Sequence, residues 1–383
     1  MKALILVGGY GTRLRPLTIT VPKPVVEILN KPMLQHQIEA LAKCGVDEVI
    51  LAVSYKPDAL VAALEPIGKK LGVKITFSKE DPDNPLGTAG PIGLAKDILT
   101  QTNEPFFVFN SDVVCPFPLE KMLEYHRSRL AAGGPKAAEG TILVTKVEDP
   151  TKYGVVVYKP ETGSIDRFVE KPKVFVGDRI NAGMYILEQS IFDLIEPRRM
   201  SIEREVFPKL AARGSLYAMP LEGFWADVGQ PKDFIRGTGL YLDWIASGGA
   251  GAERKAEAMG AADEMAAKGN FTVIQPCLID PSAAIGRGAV VGPYAVIGRG
   301  CRVAEGARVK NSTLLPGAAV AESAYVSGAI IGWNSKIGKW SRVDQGTVLA
   351  EKVNVKDELY VNGALVLPFK DIAADVPAPT IIM

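Results

Sequence analysis

Residues 8–18 of the chain read Gly-Gly-Tyr-Gly-Thr-Arg-Leu-Arg-Pro-Leu-Thr, and Pro22-Lys23-Pro24 follows shortly afterwards. The preceding residues, Lys2 to Val7, are almost all apolar, which is typical of a strand buried on both faces in a parallel sheet. A glycine-rich turn at the carboxyl end of such a strand is where open α/β sheets bind ligands. Its glycines leave backbone N–H groups open to an anion, and two arginines and a lysine add positive charge. The stretch, called the glycine turn below, therefore predicts an α/β sheet with a polyphosphate site.

Two widespread phosphate-binding motifs do not fit the glycine turn. A dinucleotide-binding fingerprint requires a third glycine where Leu14 stands, and a P-loop requires Gly-Lys followed by Ser or Thr. A surface turn with scattered charges is the alternative interpretation, since short glycine motifs also occur by chance.

The composition is that of an ordinary globular protein. The chain has 383 residues, 47% hydrophobic and 23% charged, which is enough for two or three cores. Lys plus Arg (44) nearly balance Asp plus Glu (43), which argues against a nucleic-acid or membrane-surface binder. With no signal peptide, no apolar run near the ~18 residues of a membrane span, and four widely spaced cysteines, the sequence predicts a cytoplasmic protein with reduced thiols.

Helix-like and strand-like segments alternate after the glycine turn, as in a mostly parallel sheet with right-handed crossovers. The predicted helices are Leu34 to Lys43, Pro57 to Lys70 and Thr88 to Leu99, and the predicted strands are Glu48 to Val53, Val73 to Phe77 and Phe106 to Phe109. Shorter β-like runs between residues 141 and 187 predict an inserted lobe over this sheet. The two histidines, His36 and His126, fall in helix-like stretches and are expected to be packing or surface residues.

Two aspartates are candidate metal ligands. Asp112 ends the apolar strand that begins at Phe106, at the sheet edge already assigned to ligand binding. Asp227 stands in the segment Gly-Phe-Trp-Ala-Asp-Val-Gly, residues 223–229. Each aspartate alone is equally compatible with a turn or a helix cap. Because Mg²⁺ is usually held by one or two carboxylates together with substrate phosphates, the two residues together predict a magnesium site.

Three further segments offer polar or small residues to a ligand. Glu170 and Lys171 end a predicted strand, where extended backbone would point their side chains to opposite faces, one toward a sugar hydroxyl and the other toward a phosphate. A solvated strand end is the alternative. Asn181 opens a small Asn-Ala-Gly turn that would admit a sugar ring. Gly87 lies in a loop of small residues that either contacts a nucleotide base or only leads into a helix.

Two composition breaks divide the chain. Residues 128–140 predict an exposed loop, and the Ala-, Gly-, Glu- and Lys-rich residues near 248–270 predict an interdomain linker that is partly helical. We therefore predict a catalytic domain over residues 1–247 and a second domain over residues 271–383.

Beyond the linker, apolar residues recur every six positions. One run is Ile279, Ile285, Val291, Ile297, Val303, Val309 and Leu315, and after a slip the second is Ile331, Ile337, Val343, Leu349, Val355, Val361 and Leu367. A sustained hexapeptide period predicts a parallel β-helix with the apolar residue of each hexad pointing inward. The flat faces and open ends of such solenoids commonly become oligomer contacts, so we expect a homo-oligomer.

These motifs resemble those of the sugar-1-phosphate nucleotidyltransferases over nearly the whole chain. The motifs that carry the resemblance are the glycine turn with Pro-Lys-Pro, Pro-Leu-Gly-Thr-Ala-Gly at 85–90, Val-Glu-Lys-Pro at 169–172, Asn-Ala-Gly-Met-Tyr at 181–185 and Phe-Trp-Ala-Asp-Val-Gly-Gln-Pro-Lys-Asp-Phe at 224–234. The resemblance implies a Rossmann-like nucleotidyltransferase domain followed by a left-handed β-helix. It is strongest to members that transfer GMP from GTP to mannose 1-phosphate with Mg²⁺. The alternatives are a member that uses glucose 1-phosphate with UTP, ATP or dTTP, and a non-catalytic regulatory subunit of the same fold.

The resemblance also implies roles for single residues. The residues implied to be catalytic are Arg13, Lys23, Asp112 and Asp227, of which the two aspartates hold the metal. Those implied to surround the nucleotide are Leu6, Gly8, Gly9, Gly11, Thr12, Arg13, Lys23, Gly87 and Asn110. Those implied to bind the sugar phosphate are Gly154, Glu170, Lys171 and Asn181. A regulatory alpha-type subunit is a further expected partner.

Overall fold

The computed structural model describes residues 1–9, 11–53, 58–81, 83–131, 137–249, 251, 255 and 259–383. The chain divides into two compact units. Unit 1 comprises Met1–Gly9, Leu34–Val113 and Phe117–Glu222, and unit 2 comprises Tyr10–Met33, Val114–Pro116 and Gly223–Met383. These units cut the chain at other points than the predicted domains 1–247 and 271–383, whose boundaries stay a prediction. Among the described residues, no helix combines the length and the apolar character needed to cross a membrane.

The described strands before the repeat region alternate with helices as far as residue 110, as the sequence predicts, and follow one another without an α-helix from residue 140 to residue 187. They are β1 (Lys2–Leu6), β2 (Glu27–Ile28), β3 (Lys31–Pro32), β4 (Glu48–Val53), β5 (Lys74–Lys79), β6 (Phe106–Asn110), β7 (Val113–Val114), β8 (Gly140–Lys146), β9 (Gly154–Tyr158), β10 (Ile165–Glu170), β11 (Arg179–Leu187), β12 (Leu216–Pro220) and β13 (Ala226–Asp227). The α-helices of the described residues are α1 (Met33–Lys43), α2 (Asp58–Leu71), α3 (Gly90–Leu94), α4 (Lys96–Leu99), α5 (Leu119–Ala131), α6 (Phe207–Arg213), α7 (Pro231–Ala246) and α8 (Ala261–Gly269).

Unit 1 is built on a nine-stranded sheet whose central order is β10-β9-β11-β6-β1-β4-β5, with β8 between β11 and β12. Strands β6, β1, β4 and β5 run parallel, as predicted. All six residues of β4 are buried, which is what a strand in a parallel sheet covered on both faces requires. The parallel strands therefore end at one edge, which carries Leu6 and Asn110.

The strands between residues 140 and 220 extend this same sheet. Strand β11 pairs antiparallel with β6 and with β8, and also touches β9. The prediction of a separate inserted lobe was wrong, because β11 is nine residues long and continues the hydrogen-bonded ladder of β6. Short β-like runs in a sequence do not show which strand they pair with.

Two local predictions also need correction. The predicted helix from Thr88 to Leu99 is two short helices that meet at Ala95, α3 and α4. The predicted loop 128–140 is shorter, because its first four residues continue α5 and its last begins β8. Residues 132–136 of that loop, parts of the linker between residues 250 and 258, and the predicted helix start at Pro57 lie outside the described residues.

Unit 2 contains a β-helix of three parallel sheets. Its strands are β14 (Thr272–Val273), β15 (Cys277–Ile279), β16 (Ala284–Ile285), β17 (Val290–Val291), β18 (Ala295–Ile297), β19 (Arg302–Val303), β20 (Arg308–Lys310), β21 (Ser312–Leu314), β22 (Ala319–Val320), β23 (Tyr325–Ser327), β24 (Ile330–Ile331), β25 (Lys336–Ile337), β26 (Arg342–Asp344), β27 (Val348–Leu349), β28 (Asn354–Val355), β29 (Tyr360–Asn362), β30 (Leu365–Val366), β31 (Asp371–Ile372) and β32 (Ile381–Ile382). Every third strand pairs in parallel, so each coil presents one strand to each sheet. The arrangement is consistent with the left-handed form.

The inward positions of the β-helix follow the six-residue period with one systematic correction. Ala295 lies opposite Cys277 and opposite Ser312, so one coil takes 18 residues and the next takes 17. Each 17-residue coil moves the inward position one residue earlier in the sequence. The predictions that Leu315 and Leu367 point inward are therefore wrong. The core positions that the sequence pattern missed include Leu314, Val320, Val326, Val366 and Ile372.

The buried carboxylate of Glu48 connects the start of β4 to β1 and β5 through hydrogen bonds. The Glu48 side chain is only 9% exposed and accepts hydrogen bonds from Lys2 Nζ (2.7 Å) and Thr76 Oγ1 (2.6 Å), with Lys74 Nζ at 2.8 Å. Burial alone would raise the pKa of Glu48, but the hydrogen bonds from Lys2, Lys74 and Thr76 outweigh it and lower the pKa from 4.5 to about 2.

We expect Glu48→Gln to lower the free energy of unfolding by about 2 kcal/mol at pH 7. Because folding lowers the pKa of Glu48, its contribution is fully present above pH 4.5 and is lost as the pH falls toward about 2. Urea unfolding of both proteins at pH 7 and at about pH 3 measures this, and the difference between them must shrink at the lower pH. The exposed Glu120 provides the control, since Glu120→Gln should leave stability unchanged at both pH values. An equal difference at both pH values would contradict the assignment.

Candidate functional site

The glycine turn enters unit 2 with a left-handed residue. Gly11 has φ 61° and precedes a short 3-10 helix, Thr12–Leu14. Thr18 Oγ1 donates to the Gly11 carbonyl oxygen at 2.7 Å. A Cβ atom at position 11 would lie 2.9 Å from Lys23 Cβ. Glycine is therefore required here both by the backbone conformation and by the closeness of the Lys23 stem. Tyr10 lies outside the described residues.

The glycine turn is anchored by two leucines and leaves its polar side chains outside. Leu14 and Leu17 are fully buried in a hydrophobic cluster of unit 2, whereas Thr12 and Arg13 are exposed. The same cluster includes outward-facing residues of the β-helix, namely Val296, Leu315, Ile330 and Val348. Burial of the leucines fixes the turn, so the guanidinium of Arg13 is presented from a rigid base.

Arg13 and Asp227 flank one glycine in unit 2. The backbone N–H of Gly229 donates to Asp227 Oδ1 at 2.9 Å. A Cβ atom on Gly229 would lie 2.8 Å from Asp227 Oδ1 and 3.1 Å from Arg13 Nη2. The structure thus brings Arg13, which is predicted to bind the triphosphate, close to Asp227, which is predicted to bind the metal ion. Sequence reasoning missed Gly229, although the Asp-Val-Gly spacing offered a signal for it.

The carboxyl ends of β1 and β6 carry the predicted nucleotide residues of unit 1. Leu6 lies directly opposite Asn110 in the parallel register. Gly8 and Gly9 follow β1 and are exposed, and Gly9 has φ 114°, with no atom of the other described residues within 4 Å of where its Cβ would stand. Asp112 follows β6 by two residues and is half-buried. These residues share one edge of the sheet, which is where parallel α/β sheets bind ligands.

The prediction of a turn at Asn181 was wrong, because Asn181 and Gly183 lie inside strand β11, where its ladder to β8 is irregular, and Gly183 lies against Asn110. Gly183 has φ 78°, and a Cβ atom there would lie 2.8 Å from Asn110 Nδ2. The backbone N–H of Gly183 donates to Asn181 Oδ1 at 2.8 Å, and Asn181 Nδ2 donates to the Tyr185 hydroxyl at 2.7 Å. Burial, reinforced by the carboxylate of Glu203, raises the pKa of Tyr185 well above its ordinary value, so the phenol stays protonated. The amide of Asn181 is therefore held in a fixed orientation.

Glu170 and Lys171 do not point to opposite faces as predicted. Lys171 has φ 48°, which ends the extended backbone, and its Nζ lies 3.3 Å from Glu170 Oε1. Gly154 is opposite Glu170 in the antiparallel pair of β9 and β10, and a Cβ atom on it would lie 2.9 Å from Glu170 Oε2. The strand end therefore presents a paired acid and base beside a glycine, with Lys171 more exposed than Glu170.

Packing within unit 1 accounts for the conformation of the Gly87 loop. Gly87 has φ 77°, and a Cβ atom there would lie 2.5 Å from the Met200 carbonyl oxygen. Thr88 Oγ1 donates to Glu203 Oε2 at 2.6 Å. Close approach of two backbone segments requires glycine at this position, and the predicted nucleotide contact of Gly87 stays a prediction.

The packing role predicted for the histidines is confirmed. His36 is 3% exposed and His126 is fully buried. The ring of His126 lies between Thr141 Oγ1, 2.8 Å from Nδ1, and Glu188 Oε1, 2.9 Å from Nε2. Both histidines are therefore part of the packed interior of unit 1.

The candidate metal ligands consist of aspartate oxygens. In the described parts of the chain, His, Cys, Asp and Glu side chains form no group of three or more able to hold a metal ion. Asp112 in unit 1 and Asp227 in unit 2 are hard oxygen donors, which suit Mg²⁺, and that ion needs only one or two carboxylates when substrate phosphates complete its shell. The donor chemistry of the two residues therefore fits the predicted ion.

Comparison with known families assigns the class of protein. The model of the nucleotidyl transferase family matches residues 2–243, and the model of the GMPPB C-terminal domain matches residues 273–382. The solved structure of HddC from Yersinia pseudotuberculosis is 30% identical, with a TM-score of 0.50 over 63% of this chain and 99% of that one. A UDP-glucose pyrophosphorylase complexed with UDP-glucose, 23% identical over 63% of this chain and 98% of that one, has a TM-score of 0.53 and shows the fold alone. The fold and the family model define a nucleotidyltransferase, which confirms the predicted fold class.

Full-length relatives identify the family within the nucleotidyltransferase class. A mannose-1-phosphate guanylyltransferase catalytic subunit beta from Dictyostelium discoideum is 54% identical, one from Danio rerio is 52% identical, and mannose-1-phosphate guanylyltransferase 1 from Arabidopsis thaliana is 49% identical. In each comparison the alignment covers 100% of both chains. The chain belongs to the mannose-1-phosphate guanylyltransferase family.

Proposed function

We propose that this protein transfers GMP from GTP to mannose 1-phosphate and releases pyrophosphate, with GDP-mannose as its product. The observation that carries the proposal is the 54% identity, over the whole of both chains, with a relative named for that reaction. The exposed Arg13 beside Asp227 in unit 2 and the ligand-binding sheet edge of unit 1 supply groups suited to a polyphosphate and a nucleoside.

The proposed chemistry needs no general base. A phosphate monoester has a second pKa near ~6, so the attacking oxygen of mannose 1-phosphate is already anionic at neutral pH. It attacks the α-phosphorus of GTP in line, the bond from that phosphorus to the bridging oxygen breaks, and pyrophosphate leaves with the electron pair. The obstacle is the approach of one polyanion to another, so the protein must supply positioning and positive charge. This agrees with histidines that are buried in the core.

The residues of the glycine turn are proposed to bind the triphosphate. Gly11, Thr12 and Arg13 hold the phosphates, and Lys23 neutralises the charge near the α-phosphate. The contact between the Lys23 stem and the position of a Gly11 Cβ supports joint action, because any shift of the turn moves the lysine. The fully buried Leu14 supports it as well, since it holds the neighbouring Arg13 on a fixed backbone.

The unit 1 residues are proposed to bind the nucleoside and the sugar. Leu6, Gly8, Gly9, Gly87 and Asn110 surround the nucleoside, Gly154, Glu170 and Asn181 contact sugar hydroxyls, and Lys171 contacts the sugar phosphate. The exposed backbone and positive φ of Gly9 and the fixed amide of Asn181 support these roles. The Glu170–Lys171 ion pair supports one shared site, because it keeps an acceptor for hydroxyls and a donor for phosphate at one strand end.

Asp112 and Asp227 are proposed to hold Mg²⁺. Such an ion neutralises charge on the phosphates and on the departing pyrophosphate. The support is the oxygen-only donor chemistry of both side chains and the position of Asp112 just beyond the carboxyl end of β6.

Assembly, partner and compartment complete the proposal. We expect a homo-oligomer through the β-helix, because its three parallel sheets offer surfaces of the kind that solenoids commonly pair through. A regulatory alpha-type subunit is a further proposed partner. All four cysteines are free thiols, which is typical of a reducing compartment such as the cytoplasm. Light scattering of the purified protein, alone and with that subunit, measures both assemblies.

A substrate panel tests the reaction. The purified full-length chain is assayed for pyrophosphate release with GTP, UTP, ATP and dTTP, each combined with mannose 1-phosphate and glucose 1-phosphate. We expect GTP with mannose 1-phosphate to give the largest kcat/KM. A larger value for another pair would replace the substrates and keep the class. Absence of pyrophosphate release with every pair would indicate the non-catalytic regulatory role instead.

A further inference from the structure

A buried glutamine clamps the turn that carries Asp112. Gln37 lies on the same face of α1 as the fully buried Leu34, Ile38 and Leu41, and it is itself 0% exposed. Its Nε2 donates to the Asn110 carbonyl oxygen at 2.9 Å and to the Val113 carbonyl oxygen at 3.2 Å. These two carbonyls bracket Ser111 and Asp112, so one side chain holds both ends of the turn.

The chemistry of the contact selects an amide donor. Both acceptors are backbone carbonyl oxygens, and only a group with two N–H bonds can serve both from one atom. The carbonyl oxygen of the Gln37 side chain lowers the stability of the fold, because this Oε1 atom is buried and, within the described residues, has no hydrogen-bond partner. An apolar residue would avoid that cost in a helix face that is otherwise apolar. The two hydrogen bonds of the clamp offset this cost, because an apolar residue would leave both carbonyl oxygens without their side-chain donor.

We propose that Gln37 is a positioning residue for the metal-binding carboxylate of Asp112. This inference rests on the proposed function, in which Asp112 holds Mg²⁺. The clamp restricts the backbone of residues 110–113 and so limits the positions that the Asp112 carboxylate can take. Residues behind a metal ligand commonly change metal affinity or activity by about 10–100-fold when they are replaced.

The test variant is Gln37→Met, which keeps the length of the side chain and removes the donor. We expect turnover to fall about tenfold and the Mg²⁺ concentration for half-maximal rate to rise about tenfold, with an unchanged KM for mannose 1-phosphate. The matched control is Gln35→Met on the same helix. Gln35 donates to Glu39 Oε1 at 2.8 Å and does not reach the turn, so this variant should behave as the wild type.

A binding measurement separates positioning from general damage. The dissociation constant of GTP is measured with Mg²⁺ and with a chelator, and the ratio of the two constants reports the coupling between metal and nucleotide. For Gln37→Met we expect this ratio to fall about fivefold while the metal-free constant stays as in the wild type. If Gln37→Met does not fold, as judged by its melting temperature, Gln37→Leu also lacks a donor, is apolar like its helix face, and carries the same expectations.

The outcomes distinguish this inference from the proposed function. If Asp112→Asn keeps normal turnover and metal coupling, the metal assignment is wrong, and the role of Gln37 falls with it. If Asp112→Asn loses both but Gln37→Met keeps the wild-type coupling and Mg²⁺ dependence, only the role of Gln37 is overturned. Weaker GTP binding by Gln37→Met in the chelator as well would show a structural defect and would also overturn it.

Discussion

Replacing Asp227 or Asp112 with alanine should lower turnover by at least ~100-fold while the protein stays folded. Each aspartate is proposed to place one negative oxygen on Mg²⁺, and without it the charge on the phosphates and on the departing pyrophosphate is less neutralised. The measurement is the rate of pyrophosphate release at saturating GTP and mannose 1-phosphate, together with the melting temperature of each variant.

Asparagine variants separate the charge from the local structure. Asp227→Asn keeps an oxygen that can accept the 2.9 Å hydrogen bond from the Gly229 N–H, so its melting temperature should match the wild type. Its turnover should nevertheless fall at least ~100-fold, because an amide oxygen is a weaker Mg²⁺ ligand than a carboxylate. Asp166, which pairs with Lys159 in unit 1, provides the control, since Asp166→Asn removes an exposed charge and should leave turnover unchanged. Turnover near that of the wild type in both Asp112 and Asp227 variants would refute the metal assignment.

Gly11→Ala should lower kcat/KM for GTP by about 100-fold, because displacement of a binding group by about 1 Å can have that effect. At φ 61° the new Cβ would lie 2.9 Å from Lys23 Cβ and 3.2 Å from Thr18 Cγ2. These are side-chain stems close to the backbone, so relief of the clash moves the glycine turn and Lys23 together. Steady-state kinetics with GTP as the varied substrate measures the loss.

A second glycine isolates the backbone strain from the clash. Gly45 has φ 82°, and a Cβ atom there would have no described neighbour within 4 Å, so Gly45→Ala carries the left-handed strain alone. That strain costs about 1–2 kcal/mol, and both variants should therefore lose some thermal stability. Only Gly11→Ala should lose activity. An equal loss of activity in both would mean that strain, and not the position of Lys23, decides the result.

The repeat region was predictable because each of its coils carries the same local apolar pattern in the sequence. Every hexad places one apolar residue inward, so a period of six identifies the β-helix without any long-range information. The slip that moves Leu315 out of the core was not predictable, because a coil of 17 residues differs from one of 18 only in the geometry of a corner. The parallel strands could also be predicted from the sequence, since β1 and β4 are largely apolar.

The candidate site was predictable only where a motif is local. Gly11 was found from its motif, and the structure explains it by a positive φ and by Lys23. Gln37 was missed, because its partners Asn110 and Val113 lie 73 and 76 residues away and a lone polar residue in a helix carries no sign of them. The ion pair of Lys171 with its neighbour was also missed, since the φ of 48° that allows it cannot be inferred from a strand pattern.

The hydrophobic cluster of unit 2 joins the glycine turn to outward-facing residues of the repeat region. Leu14 and Leu17 belong to one cluster with Val296, Ile330 and Val348. A shortened chain that stopped near residue 247 would remove those partners and keep others of the same cluster, such as Phe234 and Leu242. Trimming this chain to its first 247 residues is therefore expected to loosen the packing beneath the glycine turn, so that GTP is bound more weakly but is still bound.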